Sequence, residues 1–244
     1  MSKKLATGAR NILLDIKVGG GSCIKSKAEA KELARTMIRV GESHGRRVRA
    51  VITDVAAPLG LAFGSLPELR EAIDVLRGEG PDDLRDTSIT LAGVLVSLVR
   101  NIQTEEGISL ARECLASGAA YSKFKEWISA QSGDVRYVTA PEMLGVAPVY
   151  VSVRANRSGY VARMSAEAIG RICTRLGAEH EKIYPLAGVI LKKQTGDRVD
   201  AGDVVATLHT SSPELAAEGA RRFEATFEIT KKKPESRSAV LEII

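Results

Sequence analysis

Two hydrophobic periods divide the chain. From Ile12 to Val18 a short apolar run, interrupted by Asp15 and Lys17, ends in Gly19-Gly20-Gly21, the pattern of a buried strand closing in a turn. Ser26 stands three residues before Glu29 and opens the series Ala30, Leu33, Ala34, Met37, Ile38 and Gly41, a capping box followed by one apolar helical face. Gly45 closes that unit, and a second strand is predicted from Val48 to Thr53. Strand, helix and strand joined by short connections form a right-handed crossover, which predicts a parallel sheet in an α/β domain.

Pro67 stands where a first helical turn accepts it, so a helix is expected through Leu76, stopping at Gly78. Helices are expected at about 86–100, 105–117 and 119–131 on the same grounds. After Pro141 the pattern changes to short strands with turns between them, at Val149–Val153, Gly159–Met164, Gly188–Lys193 and Val204–Leu208. A smaller β-rich domain is therefore expected to begin near residue 146. Within it, Gly196-Asp197-Arg198-Val199 and Gly202-Asp203-Val204-Val205 predict a compact hairpin, similar to the barrel-sandwich modules that carry lipoyl or biotinyl groups. Those modules display an acceptor lysine in a hairpin motif that this sequence lacks, so a swinging-arm carrier is not expected.

Composition narrows the function classes. With 244 residues, 44% hydrophobic and 27% charged, the chain can bury a sizeable core, enough for one large domain and a smaller one. The apolar stretch from Ile89 to Val99 is too short to span a bilayer, and the N-terminus has no charged-then-apolar signal pattern, so a cytoplasmic protein is expected. Cys23, Cys114 and Cys173 stand far apart, which argues against a disulfide framework or a zinc site and for reduced, mostly structural thiols. The net charge of +5 comes from 35 basic and 30 acidic residues that are well mixed, and Lys231 to Lys233 read as a solvated loop before Pro234. Only 4% of residues are aromatic, too few for stacking platforms, so no nucleic-acid partner is expected.

The local motif with most chemical content is the loop from Gly19 to Ser26, where a Gly-rich turn between strand and helix could present N–H groups to an anion. It is not a phosphate-wrapping Walker loop, because Ile24 precedes Lys25 where glycine is needed, and Ile24 also replaces the third glycine of a dinucleotide fingerprint. A tight strand-to-helix turn is the plainer reading. His44, His180 and His209 have no metal spacing and no neighbouring nucleophile signature, so each reads as a surface or packing histidine.

Several segments in order carry a more specific signal. Ser2 to Ala6, Asp15 to Gly21, Thr53-Asp54 with Pro58-Leu59-Gly60, Glu68 to Ala72 and Gly78 to Arg85 resemble consecutive blocks of the thymidine and pyrimidine-nucleoside phosphorylase family. Gly159-Tyr160-Val161, Ala166 to Gly170, Leu176-Gly177-Ala178 and Gly196 to Val199 are similar to that family's C-terminal domain. The resemblance implies a parallel-sheet α/β domain followed by a smaller barrel-sandwich-like domain. It divides the chain into a stub of a helical domain at 1–8, part of the phosphorylase domain at 9–145 and the C-terminal domain at 146–244.

The resemblance further implies a pentosyltransferase that cleaves a pyrimidine nucleoside or deoxynucleoside with inorganic phosphate as co-substrate and no organic cofactor. Lys3 matches the lysine that contacts the pyrimidine, and Cys23 falls where many bacterial relatives carry a phenylalanine against the base. Ser65 falls where an asparagine is common. Leu59, Ala62 and Glu71 match positions that give two backbone carbonyls and a carboxylate to an alkali or alkaline-earth cation, as hard oxygen donors suit. The family's phosphate cradle, and a serine and an arginine that accompany Lys3, have no counterpart after Met1. The resemblance thus implies a reaction that runs only when a complementing N-terminal polypeptide or upstream stretch supplies them. Family members are homodimers, largely through the helical domain. Two alternatives remain: a remnant that binds a pyrimidine or a partner chain without turnover, and a carrier or regulatory module.

Overall fold

Residues 1–179, 182–235 and 238–244 are described by a computed structural model. In chain order the elements begin with α1 (Ser2–Ala6), β1 (Asn11–Val18), α2 (Lys27–Ser43), β2 (Arg47–Asp54), β3 (Ala62–Phe63) and α3 (Ser65–Arg77). There follow α4 (Asp82–Arg100), α5 (Thr104–Ala116), α6 (Ala119–Ala130), α7 (Arg136–Thr139), β4 (Val149–Arg154), β5 (Gly159–Met164) and α8 (Ala166–Leu176). The chain continues through β6 (Ala178–Glu179), β7 (Lys182–Ile183), β8 (Gly188–Leu191), β9 (Arg198–Val199) and β10 (Val204–Thr210). It ends in α9 (Pro213–Phe223), β11 (Phe227–Thr230) and β12 (Val240–Ile243).

The chain forms two compact units that interleave in sequence. One comprises Met1–Val55, Asp82–Ala120 and Ser238–Ile244; the other comprises Ala56–Pro81 and Tyr121–Arg237. Three segments thus fall on the other side of the boundary expected near residue 146, since residues 121–145 also belong to the later unit. Ala56–Pro81 joins the later unit because β3 pairs with β8, and the last residues join the first unit because β12 pairs antiparallel with β2.

In the first unit, Ile12, Leu14, Ile16 and Val18 of β1 point to one face and are buried against Ala30 and Ala34 of α2. β1 and β2 are parallel, in register from Asn11 opposite Arg47 to Val18 opposite Asp54, as the crossover pattern predicts. α2 starts at the predicted capping box: Ser26 Oγ accepts the Glu29 N–H at 3.2 Å, and Glu29 Oε2 accepts the Ser26 N–H at 3.2 Å. α4 starts at Asp82, four residues before the predicted start, because Asp82 and Asp83 favour the positive end of the helix dipole. The unit has one strand that periodicity did not predict: β12 gives the sheet order β1-β2-β12.

In the second unit, α3 stops where predicted, at Gly78, whose φ of 86° suits a residue without Cβ. Two antiparallel sheets, β3-β8-β10-β4 and β11-β5-β9, share one core. Val153, Val189, Leu191 and Leu208 from the first meet Val161, Met164, Val199 and Ile229 from the second, with Ile169, Leu176 and Phe223 from α8 and α9. The first unit is α/β, as expected, with β12 making its sheet mixed and not wholly parallel; the second, built on antiparallel sheets, is the larger of the two and not the smaller.

The hairpin predicted at Gly196–Val205 is not formed. β9 pairs with β5 and β10 pairs with β4 and β8, so the chain changes sheet between them. The turn is held locally: Asp203 N–H donates to Asp200 O at 3.0 Å, and Asp203 Oδ2 accepts the Asp200 N–H at 3.1 Å. Two Gly-Asp signals close in sequence mark tight turns, and turns alone do not say which strands pair.

Candidate functional site

The loop after β1 satisfies its own polar groups. Ser22 Oγ donates to Lys17 O at 2.7 Å and accepts the Ile24 N–H at 3.1 Å, while Gly19 N–H donates to Ile24 O at 3.1 Å. Lys25 Nζ reaches Gly20 O at 3.1 Å. At the start of α2, Glu29 Oε2 accepts the N–H groups of both Lys25 and Ser26. A carboxylate of the chain thus stands where an anion would bind, which is the plainer strand-to-helix turn. Cys23 is exposed in this loop.

On the sheet face opposite α2, Thr53, 2% exposed, donates its hydroxyl to Asp15 Oδ1 at 2.6 Å. Asp15 Oδ2 accepts from Lys17 Nζ at 2.5 Å. Periodicity places Asp15 and Lys17 on the polar face of β1, but the pairing that brings Thr53 to Asp15 comes only from the β1–β2 register. Lys3 lies exposed on the short helix α1.

The second unit holds Leu59, Ala62 and Glu71. Glu71 Oε1 accepts the N–H groups of Leu61 at 2.8 Å and Ala62 at 3.0 Å, so α3 is tied to the strand that enters the sheet. Leu59 lies two residues before Leu61 and is half-buried. Ala62 and Glu71 line a cavity of about 480 Å³ together with Arg70, Asp74, Lys192 and His209, and with apolar walls that include Leu186 and Ile190. Burial, reinforced by Glu79, pushes the Asp74 carboxyl above its ordinary range. Burial, reinforced by Lys192, lowers the His209 imidazole, whose ring stacks on Tyr150. Arg70 donates to Pro141 O at 3.0 Å and Gly145 O at 2.9 Å, fixing one rim.

Sequence reading missed Arg70, Asp74, Lys192 and His209 as cavity residues. The first two could be found from Glu71, since they share its stretch of α3; Lys192 follows β8 and His209 lies on β10, with no local signature in either. His44 is a surface residue at the end of α2, as read, and His180 lies outside the described residues. Of the three cysteines, only Cys173 fits the structural reading: burial pushes its thiol up to about 12, whereas Cys23 and Cys114 are exposed. Among the described residues no three His, Cys, Asp or Glu side chains gather as a metal site, and no helix is long and apolar enough to cross a membrane.

Comparison with known proteins accounts for most of the chain. Residues 1–121 match the model of the glycosyl transferase family a/b domain, and residues 160–230 match that of the pyrimidine nucleoside phosphorylase C-terminal domain. Pyrimidine-nucleoside phosphorylases of Staphylococcus aureus strains USA300 and NCTC 8325 / PS 47 are each 39% identical over 220 residues, covering 88% of this chain and 51% of the relative. The chain therefore spans about half the length of the curated relatives it matches. Its two matched domains, in the family's order, place it in the pyrimidine-nucleoside phosphorylase family.

Proposed function

We propose that this chain contributes the base-contacting part of a phosphate-dependent nucleoside cleavage. A pyrimidine nucleoside or deoxynucleoside and inorganic phosphate exchange the glycosidic bond for a bond from C1 of the sugar to phosphate oxygen, giving free base and pentose 1-phosphate. The observation that carries this reading is the pair of family matches at 1–121 and 160–230.

The chemistry assigns roles to this chain's residues. The pyrimidine departs with negative charge, and the Lys3 ammonium, held near it, would stabilise that charge where it develops. Cys23 would form a smaller wall beside the base than an aromatic ring would. Leu59 and Ala62 would offer backbone carbonyls, and Glu71 its carboxylate, to an alkali or alkaline-earth cation. The donor set suits such an ion, being all hard oxygen, and the segment that carries Leu59 and Ala62 is tied to Glu71 by the N–H groups of Leu61 and Ala62. These three donors fall short of the usual six to eight, so the remainder of the shell, like the phosphate cradle, would come from the half of the family's chain outside the match.

The test mixes this chain with uridine or thymidine and phosphate, with and without a polypeptide spanning the unmatched half of the S. aureus enzyme. Release of base is expected only with both present, and Lys3→Ala should lower kcat by about 10²-fold. Thymine binding by calorimetry without phosphate-dependent turnover in any mixture would instead establish a pyrimidine-binding protein that is not a catalyst.

A further inference from the structure

The sheet β3-β8-β10-β4 has a face turned away from the shared core. Along β8, Val189 and Leu191 are buried in that core, so Ile190 between them points outward. Along β10, Leu208 and Thr210 turn inward and His209 outward. α3 lies over this outer face, and Asp74 stands on the same side of the helix as Arg70 and Glu71, at four- and three-residue spacing. The cavity of about 480 Å³ is the space between helix and sheet, and all of its lining belongs to the second unit. That volume suits a small organic molecule.

The two walls of the cavity carry opposite charges that do not meet. On the helix wall, the Asp74 carboxylate accepts no hydrogen bond and makes no ion pair among the described residues. Arg70, one turn before it, donates instead to the carbonyls of Pro141 and Gly145. Burial and the Glu79 charge outweigh Arg77 and Arg70 at the Asp74 carboxyl, so this end favours a positive group. On the sheet wall, the Lys192 ammonium is likewise unpaired among the described residues. It stands beside His209, whose imidazole is lowered by burial and then by the Lys192 charge, so this end favours a negative group. Leu66, Leu186 and Ile190 make the surface between the two ends apolar. A half-buried carboxylate without a partner is unfavourable by itself, and a guest that brings the missing charge relieves it.

We propose that this cavity binds a small zwitterion, its ammonium against Asp74, its carboxylate against Lys192 and its apolar body on Leu66, Leu186 and Ile190. Because the two charges lie on opposite walls, an ω-amino acid or a dipeptide of apolar residues fits the pattern. An α-amino acid, whose two charged groups share one carbon, does not. The site is apart from Lys3 and Cys23, which belong to the other unit, so it stands whether or not the chain takes part in nucleoside cleavage. It also leaves Glu71 Oε1 on the N–H groups of Leu61 and Ala62.

The test titrates the 244-residue chain by calorimetry with ε-aminocaproate and with dileucine, beside hexylamine and caproate, which carry one charge each. Saturable one-to-one binding of a zwitterion is expected, at least about tenfold tighter than either singly charged analogue. The tighter zwitterion tells whether the guest is an ω-amino acid or a peptide. Asp74→Asn and Lys192→Gln should each weaken that binding about tenfold or more while the circular dichroism of the chain is unchanged. In the unsubstituted chain, saturation should also shift the His209 ring signals in the nuclear magnetic resonance spectrum. Failure of both zwitterions to bind, equal binding of a singly charged analogue, binding that both substitutions leave intact, or saturation that leaves the His209 signals in place would each overturn the proposal.

Discussion

The carboxylate of Glu71 accepts the backbone N–H of Leu61 at 2.8 Å, and the same oxygen accepts the N–H of Ala62 at 3.0 Å. One side chain on α3 thereby fixes where β3 begins. β3 in turn pairs with β8 through Ala62 opposite Ile190. A residue proposed to hold a cation is thus also a brace of the fold, and the two roles can be measured separately.

Glu71→Ala leaves two half-buried N–H groups without their acceptor, and each charge-assisted bond of this kind contributes about 1.5–3 kcal/mol. A loss of roughly 2–4 kcal/mol in urea unfolding is expected. Glu71→Gln keeps a carbonyl acceptor and should lose about half as much or less. An alanine variant as stable as the parent would show that the carboxylate does not brace the strand.

The helix junction in the first unit gives a second prediction. Gly93 of α4 and Gly107 of α5 lie where the two helices approach closely, and a Cβ on Gly107 would collide with the Gly93 carbonyl oxygen. A Cβ on Gly93 would come within 2.5 Å of the Ile108 Cα. Both obstacles are backbone and cannot rotate away. Gly107→Ala, which favours helix in an open site, should here destabilise the protein by about 1–3 kcal/mol. Thermal unfolding decides it: a higher midpoint for the alanine variant would mean that the helices separate at no cost.

Sequence periodicity carried the first unit well because its signals are local. The capping box at Ser26 and Glu29, the β1 alternation and the stop at Gly78 each need only a few neighbouring residues. Pairing between distant segments was not legible. Val240–Ile243 is a short segment, apolar except for Glu242, with no flanking partner signal, and only its bonds to β2 make it a strand of the α/β unit. The Gly-Asp turns at Gly196 and Gly202 were visible, yet the strands they feed belong to different sheets. The cavity shows the same division: Arg70, Glu71 and Asp74 share one helix, whereas Lys192 and His209 reach it through the folding of β8 and β10.

His209 gives the pH prediction. Its ring, half-buried beside Tyr150 and within hydrogen-bond reach of Thr207 Oγ1 at 3.1 Å, is held neutral by burial first and by the Lys192 charge second. Its folded value is therefore below the ordinary 6.5. The sign follows from linkage: the unfolded chain takes up the proton more readily, so acid favours unfolding. This contribution to stability is fully present above about pH 6.5 and is lost as the pH falls through 6.5 toward the depressed folded value. His209→Gln removes the titration and keeps a polar side chain. Urea midpoints measured at intervals from pH 7.5 down to about 5 should fall less steeply for this variant than for the parent. Lys192→Gln removes the neighbouring cation and should shift the parent's fall to lower stability change without abolishing it, because burial is the larger cause. Parallel curves for His209→Gln and the parent would mean that another group sets the acid sensitivity of this unit.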